Sequence, residues 1–549
     1  MRKFTTFLAI IISFSSIIFD GASYAQCTIE IPPEEVYIEG ADFSPGDVIC
    51  LLAGEKEYIL LKEIKGTAAQ PITIINSGGP VVIDTDHFYG VKFDNCEHII
   101  FSGNGEPGID YGIQVKRVGN GAGVSVDNMS TNVEIEYIEV SYTFIGGIYA
   151  KTEPYQGDCD DMVTRDKFTL YDLKIHDCYV HDIGDEGFYI GSSKYTGQTI
   201  YDCDDIVVLP HVLEGVQIYN NLVENTGWDG IQVSSAPSTN PYDCNIYNNI
   251  IINDSDEEYP YQMSGILIGG GAKCDCYNNK IIDGKGDGID ILGLGDMKIY
   301  NNLIVRAGRS FMSEAKHGIW VGEVVTTPGS IFEIYNNTII SPNSAGIKYA
   351  NNDASKVYIK NNLITNPGLL NTDPNNAYLN IATDPQKVES SNNFNVENNS
   401  IPKFINSNAD NYDLKPNSFA VNYGTSLTNQ GITFDIENRA RPFHTYFDAG
   451  AYESHDPNAS INESKIDIGN PYPLPATDFL TIPIGTNPQS ELTITIFSLQ
   501  GNTISKQIFE KNEIKSEIHL DLVNIISGSY MLNITSDNYS VNRPIIIVK

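Results

Sequence analysis

Basic residues are scarce in this chain: 34 Lys and Arg stand against 70 Asp and Glu, a formal charge of -36 over 549 residues. A field of that sign disfavours unselective binding to nucleic acid or anionic membrane. Long apolar runs are missing beyond the N-terminus, so no internal segment qualifies as a bilayer span. A 3.6-residue apolar period is also missing, which argues against a helical repeat. None of the nine cysteines has zinc-site spacing, and no Ser-His-Asp order, phosphate loop or nucleotide fingerprint stands out. With 41% hydrophobic and 19% charged residues the chain is nevertheless globular, with material for a large core and more than one domain.

Arg2 and Lys3 precede an apolar run from Phe4 to Phe19, ending in Ser23-Tyr24-Ala25. This is the layout of a cleavable secretory signal over 1–25, with Gln26 as the mature start. The run is too short, and too interrupted by Ser13, Ser15 and Ser16, for a membrane anchor. Export makes disulfides the expectation, and an odd cysteine count leaves at least one thiol over. Cys159 and Cys203, in the similar stretches GDCDD and YDCDD, form one expected pair.

A phrase then repeats at irregular intervals. Asparagine doublets end at Asn221, Asn249, Asn279, Asn302, Asn337 and Asn362, with steps of 28, 30, 23, 35 and 25. The first five lead, after a short apolar arm and a loop, to Gly-apolar-x-apolar strands: GIQV at Gly230, GILI at Gly265, GIDI at Gly288, GIWV at Gly318 and GIKY at Gly346. Short strands that persist while loops vary imply stacked strands with loops hanging outside. Three strands per turn, rising about 4.8 Å each turn, give a parallel β-helix. The doublets belong at tight bends, where Asn accepts left-handed backbone and can bond to the next turn's Asn. By strand alternation Val216, Cys244, Cys274, Met297, Phe332 and Val357 point inward as a stack. Cys244 and Cys274 then become neighbours, leaving a disulfide and a buried thiol pair both open.

The opening FSPGDVICLLAGEKEYILLKEIKGTAAQPITI and these turns, over roughly Val36 to Asn362, resemble the right-handed parallel β-helix proteins that include many polysaccharide lyases and glycoside hydrolases. The segment Asp435 to Glu453 is similar to the closing piece that follows such helices. After a polar linker at 454–468, residues 469–549 alternate as in a small β-sandwich. They resemble the C-terminal sorting domain of the type IX secretion route, with Tyr472-Pro473-Leu474-Pro475-Ala476 one residue away from the usual motif, and with Gly501 and Gly528-Ser529-Tyr530 in place. The expected class is all-β: a β-helix domain at 26–453 followed by the sandwich.

Function is then sought on outward positions. The strand residue x faces out, forming a column of Tyr149, Tyr189, Gln232, Leu267, Asp290, Trp320 and Lys348. Long loops at Asn253 to Ser264 and Arg306 to His317 flank a short one at Asp283 to Asp287, which predicts a groove with Asp287 and Asp290 on its floor. Glu186 and Asp229 occupy the place of Asp287 on earlier turns. Trp320 offers a flat face to a pyranose ring, with Gln232, Tyr189, Tyr261 and Lys348 as further substrate contacts. What the resemblance implies is a secreted polysaccharide lyase acting on an acidic glycan. Asp287, Asp290 and Glu314 would hold Ca²⁺, and Lys316, His317, Arg309 or Lys348 would serve as base and clamp beside Asp287. A glycoside hydrolase with paired carboxyls and a non-catalytic glycan-binding surface protein are the alternatives. The expected partners are extracellular polysaccharide and the secretion machinery, with no nucleic acid, no organic cofactor and a monomeric state.

Overall fold

A computed structural model describes residues 26–155, 157–455, 468–484, 491–498, 503–511, 514, 516–536 and 539–549. The expected signal peptide, most of the linker and Gly501 lie outside these residues. Twelve parallel strands, from Tyr37–Glu39 to Leu379–Ile381, stack into one face of a coil, called here the third face. The leading and second faces merge into a sheet of 23 strands, because Val48–Lys56 and Ile72–Thr85 run unbroken through the bend between them. One continuous apolar core fills the coil from Ile31 to Ile364. The expected inward stack is found there, with Val216, Cys244, Cys274, Met297, Phe332 and Val357 all buried. Of the two states left open for Cys244 and Cys274, the structure has the disulfide.

The asparagine doublet divides its labour. The first residue, as in Asn220, Asn248 and Asn278, takes left-handed backbone with φ of 57°, 57° and 56°, which Asn tolerates better than other side-chain-bearing residues. The second builds a buried ladder: the amide of Asn221 donates to Asn249, Asn249 to Asn279, Asn279 to Asn302, Asn302 to Asn337 and Asn337 to Asn362, each at 3.0 Å. Each accepting oxygen also takes the backbone N–H of the preceding rung, as Asn279 does from Asn249. The strand glycines sit where the third face turns against the second. A Cβ on Gly288 would lie 2.4 Å from the core atom Cγ2 of Ile304.

Irregular segments are fastened to the coil. Cys27–Cys50 ties down the N-terminal strand, and the expected Cys159–Cys203 bond joins the 151–168 loop to the hairpin Gln198–Ile200/Ile206–Val208. Cys96, Cys178 and Cys276 remain as buried thiols. Ile401 and Tyr412, with Ile436 and Tyr452 of the closing segment, cover outward Leu303, Val305 and Ile340 of the second face. The C-terminal part has its own core and two antiparallel sheets, one of two strands and one of four. Among the described residues no helix is long and apolar enough to cross a membrane.

Candidate functional site

The outward column of the third face is in register. Tyr149, Tyr189, Gln232, Leu267, Asp290, Trp320 and Lys348 pair in sequence through consecutive parallel strands. The groove differs from the open floor expected from sequence, because Gln232, Leu267 and Asp290 are only 1%, 5% and 8% exposed. Their neighbours Ile231, Ile266 and Ile289 belong to the core, so the column points outward and is roofed by loops.

Two segments are fastened along its edges. On one edge the 253–263 loop zips back along the preceding turn through the amides of Ser255, Asp256 and Glu257 to the carbonyls of Trp228, Thr226 and Gly227. Tyr259 stacks on Trp228 at 4.2 Å, and Lys285 clamps Asp256 and Glu258 at 2.9 and 3.0 Å. On the other edge Tyr195 crosses so close to Gly271 that a Cβ there would meet its ring at 2.0 Å. The second wall, 306–317, is gathered in part by one side chain. The Asn343 amide donates to the carbonyls of Gly308, Phe311 and Glu314.

Beside this column runs a second one, formed by the residue before each strand glycine: Glu186, Asp229, Ser264, Asp287 and His317, all buried. Burial pushes the Glu186 carboxyl up to about 7, with Asp185 adding to the shift. Asp229 is driven well above the usual carboxylate range by burial and then by Glu186, Asp290 and Asp254. Asp290 is raised likewise by burial and by Asp287. Asp287 is raised to about 6 by burial, the rise being limited by Lys316, whose Nζ lies 3.7 Å from it, and by the His317 N–H at 2.5 Å. Asp287 and Asp290, three residues apart on one strand, thus hold different affinities for the proton.

Several buried polar atoms here have no hydrogen-bond partner: both carboxyl oxygens of Asp229, Oε1 of Gln232, Oγ of Ser234, Oδ2 of Asp254, Oδ1 of Asp290 and Nε1 of Trp320. The Ser264 hydroxyl is near enough to favour the Asp229 anion but makes no well-formed bond to it. Orphaned buried groups are uncommon and expensive, about 1–3 kcal/mol each. They are gathered on adjacent turns of the third face.

The sequence-derived site residues separate into two groups. Asp287, Asp290, Lys316, His317, Trp320 and Lys348 come together, with Gln232 further along the column and Tyr189 beyond it. Lys348 lies over the Trp320 ring at 5.6 Å. The others stand apart. Arg309 is committed to the carbonyls of Ser341 and Asn366 at 2.7 and 3.0 Å. Tyr261 is 97% exposed at a loop tip. The Ca²⁺ set needs correction: Glu314 is exposed while Asp287 and Asp290 are buried, and among the described residues the only three such side chains whose ligand atoms converge are Glu134, Glu136 and His176. His317 is also unlike a base. Its Nδ1 accepts the Ala345 N–H at 3.2 Å, leaving the neutral ring's proton on Nε2, and burial depresses its proton affinity to about 3. Sequence reading missed Ser234, which directly follows the GIQV strand, and Lys285 and Asn343, which lie in loops between the repeats.

Residues 207–401 match the family model described as a right handed beta helix region, and residues 470–548 the one described as a secretion system C-terminal sorting domain. The chain is a right-handed parallel β-helix protein. It carries a type IX sorting tail and is destined for secretion or the outer cell surface. Similar solved structures include a GH136 lacto-N-biosidase of Eubacterium ramulus, 14% identical over 67% of this chain and 68% of that one, with a TM-score of 0.35. Others are a mannuronan C-5 epimerase module of Azotobacter vinelandii, 15% identical over 64% and 88%, TM-score 0.28, and tailspike protein 2 of bacteriophage CBA120, 9% identical over 91% and 72%, TM-score 0.33. Similarity at this level does not extend to reaction or substrate. No curated protein matches the sequence.

Proposed function

We propose that this is a secreted glycan-acting enzyme whose groove is the roofed outer column of the third face, and that it hydrolyses a neutral glycan by carboxyl acid–base chemistry. The carrying observation is the coincidence of unpartnered polar atoms with carboxyls of unequal proton affinity in one buried strip. Asp290 keeps its proton and Asp287, beside Lys316, gives its proton up more readily, which is the division of roles that acid–base hydrolysis needs. In this reading Asp290 protonates the departing glycosidic oxygen as the bond to the anomeric carbon breaks. Water adds to that carbon and passes its proton to Asp287. Trp320 and Lys348, the half-exposed end of the column, receive the sugar.

A lyase on an acidic glycan, the reading first drawn from resemblance, ranks second. Lys316 and Lys348, both of which bear on Asp287, favour it. Against it, three of the candidate bases are engaged, Lys316 by Asp287, His317 by Ala345 and Arg309 by two carbonyls, which leaves Lys348 over the Trp320 ring. The test is incubation of the mature chain with neutral and acidic glycans, with and without EDTA. New reducing ends from a neutral glycan, unaffected by EDTA and without the ultraviolet absorbance of an unsaturated uronate, are expected. Unsaturated products would establish the lyase instead, and retention without cleavage would leave a binding protein.

A further inference from the structure

Away from the groove, the leading face carries a cluster that the proposed reaction does not use. Glu134 and Glu136 lie on the strand Thr131–Glu136, and the next turn places Lys174 and His176 beside them in register. His176 Nε2 is 3.1 Å from Glu134 Oε1 and 3.6 Å from Glu136 Oε2, and the three ligand atoms lie within 4.8 Å of one another. The ring is fixed on two sides. Its Nδ1 is 2.7 Å from Asp177 Oδ2, and its plane stacks on Tyr219 at 4.4 Å and 10°. The second oxygen of Glu134 is held by Lys174 at 2.9 Å, which leaves the first free to turn inward.

Both ring nitrogens face carboxylates: a doubly protonated ring donates to Asp177 and Glu134, whereas a ring with its one proton on Nδ1 turns the Nε2 lone pair toward two carboxylate oxygens, and those three acceptors need a positive charge between them. A proton is one solution, but it bonds well to only one of the two carboxylates. A divalent cation satisfies both. Three carboxylates (Glu134, Glu136, Asp177) against one ammonium (Lys174) leave a local charge of about −2 around a neutral imidazole, which such a cation cancels. Tetrahedral bonds of about 2.0–2.1 Å separate donor atoms by roughly 3.3 Å, between the two distances observed. One imidazole nitrogen and two carboxylate oxygens suit Zn²⁺ rather than Ca²⁺, which takes oxygen alone. The Asp177 contact is the outer carboxylate that typically orients a metal-bound histidine.

The position gives the site a purpose. The asparagine ladder ends here, because Cys178 occupies the place of Asn221 and offers only its backbone N–H to it. The stack of Tyr219, Tyr247, Tyr277 and Tyr300 also ends, with His176 as its last ring. The geometry points to a Zn²⁺-class site formed by Glu134, Glu136 and His176 that staples two successive turns where both ladders run out.

The test uses the mature full chain without an affinity tag, freed of metal with EDTA and dialysed, with Zn²⁺ followed by titration calorimetry and thermal melting. One equivalent is expected to bind at micromolar affinity or better and to raise Tm, while Ca²⁺ and Mg²⁺ do neither. Glu136→Gln, which keeps the Glu134–His176 and Lys174 contacts, should weaken Zn²⁺ at least about tenfold while shifting the metal-free Tm by no more than a few degrees. His176→Gln should abolish binding and His181→Gln should not. Co²⁺ should give a tetrahedral absorption band in the parent that is lost in Glu136→Gln. No Zn²⁺ binding, or binding unchanged by Glu136→Gln, would overturn the site and leave a protonated histidine clamp.

Discussion

Replacing the second asparagine of a doublet should cost far more than replacing the first. In Asn279→Ala the Asn249 backbone N–H and side-chain amide lose the oxygen to which both donate at 3.0 Å, and the Ile246 carbonyl loses a donor at 2.9 Å. Asn302 is spared in part, because its Oδ1 still receives the Asn279 backbone N–H. Three buried groups at about 1–3 kcal/mol each, partly relaxed, give a loss of about 3–6 kcal/mol. In Asn278→Gly the backbone at φ 56° is relieved of its Cβ and the lost side-chain oxygen was unpartnered. Against this stands the larger unfolded-state entropy of glycine, so the net change should stay within about 1 kcal/mol. Urea unfolding of both variants of the mature chain, followed by circular dichroism, makes the comparison with m as a check on unfolding mode. The division of labour would be refuted if Asn278→Gly cost as much as Asn279→Ala, or if Asn279→Ala cost less than about 1 kcal/mol.

Three further outcomes follow from the same contacts. Glu186 holds its proton to about 7 when folded, against an unfolded value near 4.3; the folded state therefore binds more protons between these values and stability falls as pH rises through them. Glu186→Gln should remove that slope and make the protein more stable than the parent at pH 8, by up to about 3 kcal/mol. Thiol titration of the oxidised mature chain in denaturant should find three groups, Cys96, Cys178 and Cys276, and any other number revises the pairing. Trp320→Ala should weaken glycan binding about three- to tenfold with little effect on melting, which a binding assay and a thermal scan check together.

The coil was legible because its grammar is local and recurs. The doublets and Gly-apolar-x-apolar strands fix register turn by turn, and Gln232, Leu267, Asp290, Trp320 and Lys348 align as expected. The tyrosines before the first four doublets, Tyr219, Tyr247, Tyr277 and Tyr300, were equally visible, and their stacking with about 5 Å between rings went unread. Burial of the column could not be read, since outward positions of a strand are covered only by segments between the repeats, whose sequences follow no period. Ionisation at Asp287 was hidden for a related reason: it depends on Lys316 folding back from a loop of irregular length. The Glu134–Glu136–His176 cluster was hidden because the 151–168 insertion separates its members and obscures their register.

The central claim is that the aligned, roofed column acts on a glycan through Asp290, and its most direct measurement is steady-state turnover by Asp290→Asn on a neutral glycan cleaved by the parent. The account predicts a fall in kcat of at least about a hundredfold, with glycan affinity held within about threefold and Tm unchanged or raised. Parental turnover in that variant would contradict it.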